Sequence, residues 1–84
     1  MHYVYVIRNE LNELYTGSTN DLRVRFAAHN NGKVFSTRGH KWELIYYEAY
    51  RVEADARERE KQLKYHGWAL AKLKLRLRQS LTQH

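Results

Sequence analysis

Tyr3-Val4-Tyr5-Val6-Ile7-Arg8, then Asn9-Glu10-Leu11-Asn12, then Glu13-Leu14-Tyr15-Thr16-Gly17 is the stretch that decides the fold. The first run is β-branched and aromatic and predicts a strand over 3–8. Asn9–Asn12 has turn composition, and Glu13–Gly17 predicts a second strand returning antiparallel in a hairpin. Side chains alternate across a strand, so Tyr3, Tyr5 and Ile7 share one side, as do Glu13, Tyr15 and Gly17. With the turn centred on Glu10-Leu11, Tyr5 and Tyr15 can lie on the same face.

Outward from the hairpin, Ser18-Thr19-Asn20-Asp21 is a helix-start signal, and a helix follows from about Asp21 to His29. Asn30-Asn31-Gly32 ends it, since both residue types tolerate a left-handed cap. Lys33–Lys41 reads as a polar, basic loop, and Trp42–Tyr50, around Leu44-Ile45-Tyr46-Tyr47, as a third strand. Glu53–Lys64 is rich in helix formers, and Gly67 breaks the run. From Trp68 to about Gln79, Leu70, Leu73 and Leu77 keep helical spacing, while the alternation from Leu73 to Arg78 also fits a strand. The expectation is one α+β domain over residues 1–84. Its small three-stranded antiparallel sheet is flanked by helices in the order β-β-α-β-α-α.

Composition narrows the function. The chain has 15 Lys+Arg against 9 Asp+Glu, a formal charge of +6 and a pI near 9.8. Such an excess points to a polyanionic partner, nucleic acid before an anionic membrane face. Eight basic residues against two acidic ones fall between Arg57 and Arg78. At 43% hydrophobic and 13% aromatic residues, the chain is too apolar for a disordered tail. Cysteine is absent, which excludes disulfides and thiolate ligands and fits a reducing cytoplasm. No run is long enough to span a bilayer, and the N-terminus lacks signal-peptide character. A membrane-surface helix at Trp68–Arg78 would rest on basic amphipathicity alone.

Helical geometry sorts the polar residues. Leu22 and Phe26 define the apolar stripe of the first helix. Arg25 and His29 fall beside it, and Arg23 does not. On the second helix Val52, Ala56 and Leu63 share a face that Glu60 borders and Glu58 avoids. Two phenols, an arginine, a histidine and a carboxylate could then converge. Each has an ordinary alternative: tyrosine suits strands, arginine snorkels, His29 can cap a helix end, and Lys64 at i+4 can pair with Glu60.

The order and spacing of several motifs carry a resemblance. Tyr3-Val4-Tyr5, Tyr15-Thr16-Gly17 and Asp21-Leu22-Arg23-Val24-Arg25 through His29-Asn30 come first. Ser36-Thr37-Arg38, Trp42–Tyr50 and Ala56–Lys64 follow. Together they resemble the GIY-YIG nuclease family, in its small stand-alone bacterial branch similar to the N-terminal nuclease domain of excinuclease C. Tyr3 stands where the name motif has glycine, Thr16 where it has isoleucine, and the branch's proline near Lys41 is missing.

The resemblance implies divalent-metal-dependent cleavage of DNA phosphodiesters, with a possible place in repair or recombination. By position it assigns catalytic roles to Tyr5, Tyr15, Arg25, His29 and Glu60. Glu60 would hold one Mg²⁺ or Mn²⁺, with water completing the shell. Arg25 would stabilise the phosphoryl oxygens, and Tyr15, with Tyr5 as second candidate, would take a proton from water. A free phenol has a pKa near 10, so a cation such as Arg25 or the metal must lower it. His29 would hydrogen-bond a tyrosine or relay its proton. Arg38, Lys41, Lys61, Lys64, Lys72, Lys74 and Arg76 are the candidate DNA contacts. Their phosphate contacts are blind to sequence, so specificity should be weak unless a partner protein supplies it. RNA is an alternative substrate. The other reading is a binding module of the same fold with little or no turnover.

Overall fold

The computed structural model describes residues 1–82. Strand β1 spans His2–Asn9 and β2 Leu14–Thr19. Helix α1 spans Leu22–Asn30, a 3₁₀ turn Phe35–Thr37, and β3 Trp42–Tyr50. Helix α2 covers Glu53–Tyr65, α3 Gly67–Arg76, and a last short α4 Arg78–Thr82. The expected order β-β-α-β-α-α is therefore present, with α4 appended. All pairing is antiparallel, in the order β2-β1-β3, so the valine-rich β1 is the central strand.

The hairpin pairs Tyr3 with Thr19, Tyr5 with Gly17 and Ile7 with Tyr15, so it centres on Leu11. Asn9 builds the turn: its Oδ1 accepts from the backbone N–H of Leu11 (2.9 Å) and Glu13 (3.0 Å). Asn12 adopts φ 64°, which asparagine tolerates. β2 begins at Leu14, one residue later than expected, because Glu13 is still bonded into the turn.

The sheet is covered on both faces. Val4 and Val6 pack with Ala56 and Leu63 of α2 and Ala69 and Leu73 of α3. Tyr5, Ile7 and Trp42 form the other core, against Leu22 and Phe26 of α1. A register shift between Val6 and Ile7 leaves Ile45 without a partner. The successive residues Ile45 and Tyr46 consequently both pack toward α2 and α3, as a bulge permits.

Two local expectations are corrected. Val52 is not on the buried face of α2. It precedes the helix with extended backbone (φ −114°, ψ 131°) and is 55% exposed, so helical periodicity does not reach it. The helix over 68–79 instead ends at Arg76. Its apolar residues Leu70 and Leu73, with Leu77 just beyond, pack on the core, which decides against a strand. Further on, the buried Arg8 guanidinium donates to the Leu81 carbonyl (2.6 Å) and pairs with Glu43 (2.6 Å), tying α4 to β1.

Candidate active site

Asp21 starts α1 by accepting a hydrogen bond from the Val24 N–H (3.1 Å). That start sets the phase of the helix. Arg25 then turns inward, partly buried, while Arg23 is exposed. On α2, Glu60 is partly buried and Glu58 exposed. Arg25 and Glu60 line one cleft of about 610 Å³, together with Ser18, Arg57, Lys61 and Lys64. The cleft lies along the edge strand β2, where α1 approaches from one face of the sheet and α2 from the other.

Glu60 is held at both oxygens. Oε1 accepts from the Ser18 hydroxyl (2.7 Å), and Oε2 pairs with the Lys64 ammonium (2.9 Å). Burial pushes this carboxyl's pKa up. The hydrogen bonds from Ser18 and Lys64, with the charges of Lys64 and Arg57, outweigh that and hold it below the usual range. Glu60 is thus ionised at neutral pH. Among the described residues no three His, Cys, Asp or Glu side chains cluster. A lone ionised carboxylate in an open cleft fits a hard, largely hydrated ion such as Mg²⁺ or Mn²⁺, not a fully protein-ligated zinc.

Behind the cleft lies a buried polar network. His29 is fully buried between two tyrosines. Its ring is 5.6 Å from that of Tyr5 and 5.1 Å from that of Tyr15, both edge-on. Nε2 is 2.6 Å from the Tyr5 hydroxyl and Nδ1 is 2.7 Å from the Thr37 hydroxyl. Thr37 donates to the Val34 carbonyl (3.4 Å), so it accepts from His29 Nδ1–H. Nε2 is then the acceptor, and the Tyr5 hydroxyl donates to it. Burial, then the charge of Arg25, push the imidazole pKa down to about 4, so His29 is neutral.

The same burial raises the pKa of Tyr5. The hydrogen bond and charge of Arg25 only partly oppose it. Tyr5 is thus a proton donor inside a buried network. Tyr15 is partly exposed, and the Lys64 ammonium lies 5.3 Å from its ring centroid.

Gly17 faces Tyr5 across the hairpin. A Cβ there would sit 2.6 Å from Cζ of Tyr5 and closer still to its hydroxyl. Tyr5 reaches His29 only because position 17 has no side chain.

Arg25 carries the most telling atom. Its Nε is, among the described residues, the one buried side-chain nitrogen or oxygen without a hydrogen-bond partner. A buried donor left unpaired costs on the order of 1–3 kcal/mol, and the side chain that carries it lines the cleft.

The other basic candidates divide. Lys61 and Lys64 are in the cleft with Glu60. Arg38 stacks its guanidinium 4.4 Å over the exposed Phe35 ring, and Lys72 lies 5.7 Å from the Trp68 ring centroid. Lys74 is exposed on α3. Arg76 lies near enough to Tyr46 of β3 to act on it electrostatically. Lys41 lines a separate hollow with Arg8, Asn9 and Glu43, at the opposite end of β1 from the cleft. Sequence reasoning missed Ser18, Thr37, Gly17 and Arg57. Gly17 was recoverable from the hairpin register, and Thr37 from its place in Ser36-Thr37-Arg38. The Ser18–Glu60 bond spans 42 residues and has no local signal.

The sequence profile of the GIY-YIG catalytic domain matches residues 1–79. A UPF0213 protein of Clostridium perfringens is 41% identical over 67 residues, covering 76% of this chain and 71% of that protein. One from Staphylococcus epidermidis is 35% identical over 65 residues, covering 75% and 79%. Another from Oceanobacillus iheyensis is 37% identical over 65 residues, covering 75% and 76%. No solved structure matches the chain. Among the described residues no helix is long and apolar enough to cross a membrane. The chain belongs to the GIY-YIG catalytic domain family.

Proposed function

We propose that the protein is a divalent-metal-dependent endonuclease that hydrolyses DNA phosphodiesters with little sequence preference. One observation carries this reading. The Arg25 side chain, whose buried Nε–H is unpartnered, and the ionised carboxylate of Glu60 line the same cation-lined cleft. An anion with several acceptor oxygens, next to a site for a hard cation, answers both features at once; a phosphodiester is such a group.

Arg25 would hydrogen-bond the phosphoryl oxygens and grow more effective as charge builds on them. Ser18 and Lys64 orient Glu60, the residue that would hold Mg²⁺ or Mn²⁺. When bound, that ion would polarise the phosphate and stabilise the leaving 3′ oxygen. Tyr15, the more exposed phenol, would accept the proton of the attacking water. The water oxygen bonds to phosphorus, the P–O3′ bond breaks with its electron pair on O3′, and that oxygen takes a proton from solvent, giving 5′-phosphate and 3′-hydroxyl ends. Tyr5, His29 and Thr37 act from behind: they keep a neutral, fixed wall against which Arg25 is aimed. Arg57, Lys61 and Lys64 would hold flanking phosphates, contacts that carry no sequence information.

A binding module without turnover draws on a different observation, that both Glu60 oxygens already have protein partners. Nicking of supercoiled plasmid separates the two. The nuclease reading expects nicks with Mg²⁺ or Mn²⁺, none with chelator, and none from Glu60→Ala although DNA is still bound. Salt-dependent binding without metal-dependent nicks would favour the module.

A further inference from the structure

The junction of α2 and α3 carries aromatic side chains that no core explains. Tyr65, the last residue of α2, is 77% exposed and lines the cleft. Trp68, in the first turn of α3, is 60% exposed. Between them His66 has extended backbone (φ −116°, ψ 96°), and its ring is 6.1 Å from that of Trp68 at a 36° tilt. Leaving two large aromatics in water forgoes burial that such side chains usually obtain. Their neighbours are cations: Lys61 and Lys64 in the cleft, and Lys72 one turn after Trp68, 5.7 Å from its ring centroid. A purely apolar partner would desolvate Lys61 and Lys72 without offering them a counter-charge. The occupant that satisfies both chemistries offers flat π-faces and negative charge together.

We propose that Tyr65 and Trp68 form a stacking platform for unpaired nucleobases, with Lys61 and Lys72 on the adjoining phosphates. The strand leading into the cleft would then be single-stranded or locally opened. Duplex DNA does not satisfy the platform, because its base faces are already stacked on one another. This inference rests on the cleft being the site of phosphodiester cleavage and names the form of substrate it takes.

The test measures binding in chelator, so that no cleavage intervenes. Fluorescence anisotropy compares a short oligothymidylate, the matching oligouridylate and a duplex of equal length, with wild type, Trp68→Ala, Trp68→Phe and Tyr65→Ala. Wild type should bind single strands more tightly than duplex. Each alanine variant should lose about tenfold in single-strand affinity with a much smaller loss for duplex, while Trp68→Phe keeps most of it. Trp68 emission should be quenched by single strands, whereas the buried Trp42 contributes a constant background. Equal binding of the two single strands assigns the platform to bases of either nucleic acid; preference for one names the source.

Unchanged single-strand affinity in both alanine variants overturns the proposal, as does an equal loss for single strand and duplex. Binding of the patch to phosphatidylglycerol vesicles but not to oligonucleotides would overturn it in favour of a membrane surface. Loss of metal-dependent nicking with the stacking effect intact would sink the catalytic reading alone. Nicking with no stacking effect would sink the platform alone.

Discussion

Acidification should weaken this fold through His29 before it does so through the carboxylates. The imidazole is fully buried, and burial followed by the charge of Arg25 lowers its pKa from 6.5 to about 4. The folded chain therefore takes up a proton less readily than the unfolded chain. The stability at stake is fully present well above pH 6.5, falls as pH drops from 6.5 toward 4, and is gone below about 4. The whole shift amounts to about 3 kcal/mol, of which about 2 is lost between pH 7 and pH 5. A small domain has on the order of 5–10 kcal/mol in all, so the effect is large. Urea unfolding at pH 7 and pH 5 measures it, with His29→Asn as the variant that cannot titrate. Wild type should lose about 2 kcal/mol more than the variant over that interval. Glu48 and Glu60 also have lowered pKa values, so their losses lie at lower pH and are shared by both proteins. Parallel pH dependence, or an imidazole resonance titrating near 6.5, would refute the buried neutral histidine.

Other perturbations test the surrounding geometry. Gly17→Ala should cost about 1–3 kcal/mol in chemical denaturation and slow DNA nicking, because the new methyl displaces the Tyr5 ring; wild-type stability would contradict the close approach. Thr37→Val removes the acceptor that fixes the His29 tautomer and should cost about 1–2 kcal/mol, whereas Thr37→Ser should restore most of it. The carboxylate of Glu48 accepts from Tyr46, Tyr50 and Arg59 on the far side of the sheet from His29. Glu48→Gln should destabilise by about 1–3 kcal/mol without changing the metal dependence of nicking, so a changed metal profile would mean that the two clusters communicate.

Local periodicity made much of this molecule legible. Strand alternation put Tyr5 and Tyr15 on one face, and the Asp21 cap with the Leu22–Phe26 stripe phased α1 so that Arg25, not Arg23, turned inward. The same reasoning separated Glu60 from Glu58. What escaped was set by contacts distant in sequence. The 33–41 segment reads as a polar loop, yet Thr37 is completely buried. It is held there because Trp42 Nε1–H donates to its carbonyl (2.9 Å) while Asn30 clamps the backbone of Trp42 (2.6 and 3.1 Å). The bulge at Ile45 switches faces within one strand, which a period of two does not anticipate. The end of α3 at Arg76 accompanies the reach of Arg8 for the Leu81 carbonyl, 73 residues away in the chain.

The central claim is that Arg25 and Glu60, brought to one cleft from opposite faces of the sheet, act on the same phosphodiester. Single-turnover cleavage of a labelled DNA strand by Arg25→Ala, Arg23→Ala and Glu60→Gln, each with its binding affinity measured in parallel, tests it most directly. The account predicts that Arg25→Ala and Glu60→Gln lose on the order of a hundredfold or more in rate while still binding DNA, and that Arg23→Ala cleaves like wild type. Equal losses from Arg23→Ala and Arg25→Ala, or full activity in Glu60→Gln, would contradict it.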